Sequence, residues 1–159
     1  MSWTFSSIGT IRSPFREVKG MPIQPAGARH VQGHVIVEQV YEEGLADIEG
    51  FSHIILIYVF HQSKEFSLSV KPFMDTKARG LFSTRAPRRP NPIGLSVVRL
   101  VKREENILHI QGVDVLDRTP LLDIKPYAPA FDSVPNALVG WMTGKETNVG
   151  STKADDRFK

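Results

Sequence analysis

Cysteine is absent from the 159 residues, which removes disulfides, a thiolate nucleophile and every thiolate zinc site. The five histidines, His30, His34, His53, His61 and His109, include no HExxH pair, so no zinc-binding helix of that kind can form and no metal is expected. Neither GxGxxG nor GxxxxGK followed by Ser or Thr occurs. A doubly wound nucleotide fold with a glycine cradle is therefore not expected. Long apolar runs are missing too. The longest, residues 54–60, falls far short of a bilayer span, and the start MSWTFSSIG lacks the basic-then-apolar order of a signal peptide. These absences fit a soluble chain in a reducing compartment, with no membrane partner and a cytoplasmic location.

What is present is ordinary for a globular domain: 41% apolar and 23% charged residues, with length enough for one real core. The net charge of +3 is small but unevenly spread. Nine basic residues (Lys71, Lys77, Arg79, Arg85, Arg88, Arg89, Arg99, Lys102 and Arg103) stand against one acid, Asp75, in the same stretch. A polyanion is one partner that such an excess suits, and a solvated charged face is the other reading.

Residues 3–11 mix β-branched and aromatic side chains and predict a first strand, ending before Ser13 and Pro14. Residues 15–30 hold Gly20, Pro22, Pro25 and Gly27 and read as loop. Residues 33–41 alternate, with Val35 and Val37 on one side and His34 and Ile36 on the other, which predicts a second strand. Helix formers bounded by glycines over 42–50 predict a turn or two of helix. The apolar run in 51–60 predicts a strand buried on both faces, closed by His61 and Gln62. Further strands are expected over 66–70, 93–101 and 107–111. The last of these pairs across a turn at 104–106 and continues through 113–116, and a short run follows at 121–124. From 145 onward the chain reads as a loose tail. Many short strands with long connections predict an all-β fold. The expectation is a single closed or partly closed β-barrel over 1–140, with short helical insertions and a polar tail over 141–159.

The most distinctive stretch is GLFSTRAPRRPNPIGLS, residues 80–96. Pro87, Pro90 and Pro92 fix φ, and Ala86, Arg89 and Asn91 are each pushed out of the helical region by the proline that follows. The segment is therefore extended and stiff, and Arg85, Arg88 and Arg89 on it lose little entropy on binding carboxylate or phosphate. A proline-rich surface loop is the plainer reading.

RPNPIGLS, preceded by STR and followed downstream by GVDVLDRTPLLDIKPY, resembles the signature of the TsaA-like (TrmO-type) family. The likeness runs from about residue 6 to about residue 133. The resemblance implies a single-barrel enzyme that uses S-adenosylmethionine to methylate N6 of threonylcarbamoyladenosine, next to the anticodon of tRNA. It implies a homodimer, because family members pair to complete the cofactor pocket. Bacterial members often carry an added C-terminal domain. Carried across residue by residue, the family's cofactor contacts fall on Pro25, Ala26 and Gly27; His61 and Gln62; Arg85; Leu95; and Asp114, Val115, Leu116 and Asp117. Glycine stands in most relatives at the position of Arg118, where a left-handed backbone would be costly for arginine.

Within that frame Arg85 suits the cofactor carboxylate, Leu95 suits the adenine, and Asp114 or Asp117 suits ribose hydroxyls or the amino group. Asp117 is equally read as a turn cap before Pro120, and His61 as a hydrogen-bonded strand end. Arg88, Arg89 and Asn91 are the residues assigned to RNA contacts. Asp123, Lys125 and Tyr127 are the candidates for proton removal or placement of the acceptor. Asp123 and Lys125 share a strand face, which also fits a structural ion pair, and Tyr127 is suited to stacking on a base. Two rivals stay open: a non-enzymatic RNA-binding barrel, and a methyltransferase acting on another RNA or a small molecule.

Overall fold

Alternating β-branched residues wind the chain into a barrel with one apolar interior. The computed structural model describes residues 1–145 and 151–155. Eight strands form: β1 (Gly9–Arg12), β2 (Gln32–Val37), β3 (His53–Val59), β4 (Ser69–Val70), β5 (Arg79–Gly80), β6 (Ile93–Glu104), β7 (Ile107–Gln111) and β8 (Thr119–Pro126). Six of them close in the order β1-β2-β7-β6-β3-β8, all pairs antiparallel. Closure leaves no unpaired sheet edge around the ring. The small pair β4–β5 stands apart from the barrel. The expected all-β closed barrel is what the chain builds.

Side chains at every second position fill the interior: Ile11, Val35, Ile54, Leu56, Val98, Leu108, Ile110 and Leu121 are all fully buried. β3 differs from its expectation. Ile54, Leu56 and Tyr58 point inward, whereas Ile55, Ile57 and Val59 are only half-buried on the outer face. A closed barrel covers one face of each strand, so an unbroken apolar run here leaves an apolar outer surface.

Other expectations shift for local reasons. β1 starts at Gly9, later than residue 3. The helix over 42–50 is two 3-10 turns, Gln39–Leu45 and Ile48–Gly50, separated where Asp47 takes φ +67°. The strand over 66–70 shrinks to Ser69–Val70. Residues 113–116 do not extend β7, because Gly112 adopts φ +92° and turns the chain off the ladder. Arg118 does take the left-handed backbone anticipated at its position, with φ +62°.

The described part of the tail is anchored. Trp141 donates through Nε1 to the Ser83 carbonyl at 2.8 Å, and its ring lies under Arg79 and Lys145. Arg79 and Lys145 both grip the Asp75 carboxylate, at 2.7 and 3.0 Å, and Arg79 foremost holds that carboxyl below the usual carboxylate range. Further on, Ala154 exchanges backbone hydrogen bonds with Gly20 and Met21. The remainder of the expected loose tail, 146–150 and 156–159, lies outside the described residues.

Two strands meet at unusually close range. A Cβ added to Gly94 would lie 2.2 and 2.5 Å from the Tyr58 ring and 2.9 Å from Phe60. Tyr58 is buried in the interior and cannot swing aside. Gly94→Ala should therefore lower unfolding stability by about 1–3 kcal/mol, the usual scale of overpacking. Denaturant titration checks this, and an unchanged midpoint would show that Tyr58 does not need the space.

Candidate functional site

Strand register places the chemistry-bearing residues of three strands on one outer face. Ile57 of β3 pairs with Leu95 of β6 on one side and Asp123 of β8 on the other. Ile55 likewise lies between Val97 and Lys125. His53 pairs with Arg99, accepts a hydrogen bond from the Tyr127 N–H at 3.2 Å, and meets the Tyr127 ring edge-on at 6.3 Å. Directly paired residues share a face, and neighbouring strands lie about 4.8 Å apart. Leu95 and Asp123 are thus separated by about 10 Å across the sheet.

Asp123 reaches that face only because β8 is irregular. Its register shifts between the partners Ile57 and Tyr58, leaving Leu122 as the extra residue. A regular strand with Leu121 inward would turn Asp123 into the core; the bulge reverses this and sends Ile124 inward instead. On the surface Asp123 and Lys125 form an ion pair of 2.7 Å, both half-exposed.

The stiff segment supplies one wall. Arg85 is exposed and donates through Nη1 to the Gln24 side chain at 3.1 Å. Gln24 immediately precedes the 3-10 turn Pro25–Ala28, so Arg85 is brought to the loop containing Ala26 and Gly27. Arg89 curls back onto its own segment, donating to the carbonyls of Thr84 and Ala86 at 2.9 and 3.3 Å and lying over the Phe82 ring. Arg88 is half-buried and Asn91 is exposed.

Beneath this wall runs a buried polar chain. The Tyr58 and Ser96 hydroxyls are 3.0 Å apart, and Ser96 donates to Asp114 Oδ1 at 2.6 Å. Burial pushes the Asp114 carboxyl up to about 6, although the Ser96 hydrogen bond and the Arg85 charge both oppose the rise. Burial also lifts the Tyr58 phenol above its ordinary range, with the Asp114 charge adding to it.

The remaining candidates divide. His61 is exposed, its Nδ1 3.5 Å from the Thr119 hydroxyl, and Gln62 is exposed beside it. Val115 is part of the core and Leu116 accepts from Thr119 through its carbonyl. The Asp117 carboxylate accepts from Arg12 Nε at 2.8 Å and the Ser13 N–H at 3.1 Å, and its own N–H donates to Phe15. That side chain staples the end of β1 to the turn, whereas Asp114 faces Ser96 and Arg85.

Residues that sequence reasoning did not single out complete the site. Gln24, Ser96 and Tyr58 orient Arg85 and Asp114, and Arg29, His30, His53 and Arg99 line an open cleft of about 450 Å³ together with Ala26. Alternation along β6 was a usable signal for Arg99, since it falls on the same face as Leu95 and Val97. No short-range pattern announces Tyr58, which reads as one more member of an apolar run.

The raised Asp114 carboxyl fixes a pH effect. Its value moves from 3.8 to about 6 on folding, so between these limits the folded chain holds a proton that the unfolded chain has released. Stability from this group therefore falls as pH rises through that window and levels off above it. Asp114→Asn should abolish that component. The stability difference, wild type minus variant, should decline between pH 4 and pH 6.5 in denaturant titrations; a flat difference would contradict the buried carboxyl.

Comparison with known proteins fits this geometry. Residues 10–133 match the family model of the tRNA-methyltransferase O N-terminal domain. A probable S-adenosyl-L-methionine-binding protein of Pyrococcus abyssi is 53% identical over 154 residues, covering 97% of this chain and 84% of that protein. The tRNA (adenine(37)-N6)-methyltransferase of Escherichia coli is 38% identical over 150 residues, covering 88% of this chain but 64% of the enzyme. The crystal structure of TrmO from Pseudomonas aeruginosa superposes with a TM-score of 0.75 at 40% identity, covering 89% of this chain and 63% of that one. With most of its length matched by the family model and by relatives of this similarity, the chain belongs to the tRNA-methyltransferase O N-terminal domain family.

Proposed function

We propose that this chain binds S-adenosylmethionine and methylates N6 of threonylcarbamoyladenosine at position 37, next to the tRNA anticodon. The observation that carries the reading is the Arg85–Gln24 hydrogen bond, which brings Arg85 to the turn holding Ala26 and Gly27. Ala26 lines a cleft with Val97 on the outer face that also carries exposed Leu95, while the Asp114 carboxyl, bonded to inward Ser96, feels the Arg85 charge from the barrel side. Those groups match the parts of the cofactor: a guanidinium for its carboxylate, an apolar side chain for its adenine, and an acceptor for ribose hydroxyls. The names of the Pyrococcus and Escherichia relatives point the same way. The chain spans about two thirds of the Escherichia enzyme, so the tRNA substrate comes from the reading of the face as well as from that name.

Bound there, the cofactor supplies an electrophilic methyl group on a sulfonium. The protein's share is alignment, because an in-line displacement needs correctly placed reactants more than a strong catalyst group. Pro25, Ala26 and Gly27, with His61, Gln62 and the backbone of Asp114, Val115, Leu116 and Asp117, frame the donor side. Asp123, Lys125 and Tyr127 lie across the same face and receive the acceptor base, with Tyr127 stacking and Asp123 placed to take the N6 proton. The threonylcarbamoyl group makes that nitrogen more acidic than in plain adenosine, so a half-exposed carboxylate paired to Lys125 is sufficient. Arg88 and Asn91 extend toward RNA, while Arg89 keeps the segment in shape.

The reading includes a homodimer. Ile93, Leu95, Phe131, Val134 and Leu138 are all exposed, and a partner subunit that covered them would remove apolar surface from water. Light scattering should return twice the mass of the chain, and a monomer at micromolar concentration would sink this part.

The direct test incubates the protein with S-adenosylmethionine and tRNA carrying threonylcarbamoyladenosine, then identifies nucleosides by mass spectrometry. A methyl group on N6 of that nucleoside is expected. In parallel, Arg85→Ala should weaken cofactor binding in calorimetry by about 1.5–3 kcal/mol, the scale of a charge-assisted hydrogen bond, with the fold intact. No product together with undiminished cofactor affinity in the variant would overturn the assignment.

A further inference from the structure

The outer face continues past Leu95 and Val97 to Arg99, and there the 24–30 loop overhangs it. The resulting cleft of about 450 Å³ has Arg29 and His30 on the loop side, His53 and Arg99 on the sheet side, and Gln111 at its end. Among the described residues no acidic residue lines it. Its charge is also unspent. Arg12, Arg79 and Arg103 are each paired with carboxylates, whereas among the described residues the guanidiniums of Arg29 and Arg99 have no ion-pair or hydrogen-bond partner. Two unpaired guanidiniums facing one hollow repel one another, and they gain most from an anion of more than one oxygen.

We infer that this cleft seats a backbone phosphodiester of the RNA substrate, close to the nucleotide being modified. The inference rests on the reading of the chain as an RNA methyltransferase and adds the anchor that reading lacks. Position argues for it. Ala26 belongs both to the cofactor loop and to the cleft wall. His53 of the cleft is in ring contact with Tyr127, the residue placed to stack on the acceptor base. A strand whose base rests on Tyr127 brings its neighbouring phosphate to His53 and Arg99 without crossing the cofactor side. Arginine forks in such a seat fix the register of the RNA and carry no sequence information.

The experiment compares wild type with the Arg29→Ala, Arg99→Ala double variant. Both side chains are exposed and bond to nothing described, and a conservative Arg29→Gln, Arg99→Gln pair guards against any folding defect. Binding of an anticodon stem-loop RNA is measured across a potassium chloride series, with S-adenosylmethionine affinity as the internal control. The double variant should bind RNA about tenfold more weakly, with the log–log salt slope reduced by about 1, and should bind S-adenosylmethionine as wild type does. Unaltered RNA affinity and slope, in a wild type that methylates the RNA, would overturn the phosphate seat alone. A tenfold loss of S-adenosylmethionine affinity would assign the cleft to the cofactor and also overturn it. Micromolar binding of inorganic phosphate by itself, lost in the variant, would make the cleft a free-anion site. A wild type that binds S-adenosylmethionine but neither binds nor methylates RNA would instead defeat the underlying reading, and this inference with it.

Discussion

One extra residue on β8 determines which side of the barrel carries Asp123. With Leu121 packed inward opposite Tyr58 and Asp123 opposite the outward Ile57, the two pairings are compatible only because Leu122 is left over. Without the bulge, period-two alternation would drive Asp123 into an apolar interior, where an unpaired carboxylate costs several kcal/mol. With it, Asp123 and Lys125 emerge beside Ile57 and Ile55, level with Leu95 and Val97 two strands away. A closed barrel has no edge or sheet-end crevice to offer a ligand. In the proposed function the outer face of β6, β3 and β8 takes that role, with the 24–30 loop beside it.

The loops are held by polar contacts whose costs are visible. Asp114 is buried at the expense of its ionisation, a cost the Ser96 hydrogen bond partly offsets, and Tyr58 lies across Gly94 with its hydroxyl on the same serine. The result is a carboxyl fixed next to Arg85, which itself bridges to Gln24. Proline bracing and the Arg89 contacts keep the segment rigid. The anchored tail presses on both walls, through Trp141 at Ser83 and Ala154 at Met21. Such pre-organisation reduces the entropy lost when a flexible cofactor or RNA loop is bound.

Much of this was legible in the sequence. Alternation in 33–41 gave the correct inward pair, Val35 and Val37, and the spacing of Asp123 and Lys125 gave their common face. The resemblance carried by RPNPIGLS reached the right family. The apolar run over 54–60 misled in one respect, because composition cannot distinguish a strand covered on both sides from one whose outer face awaits a partner. The reach of β7 was overestimated because Gly112 turns by its φ, which an apolar stretch on either side conceals. Asp117 and Asp114 look alike in the chain, three residues apart; only their neighbours in space separate a staple for Arg12 and Ser13 from a carboxyl facing Ser96. Arg29, His53 and Arg99 come from three distant segments, and no local pattern could have assembled them.

The central claim is that methyl donor and acceptor meet on the outer face of β6, β3 and β8, and not inside the barrel. A crystal structure of the protein soaked with S-adenosylhomocysteine tests it most directly. The account predicts density against Leu95 and the 25–27 turn, with the amino-acid end at Arg85. Density within the barrel interior, or on the β1–β2 side of the ring, would contradict it.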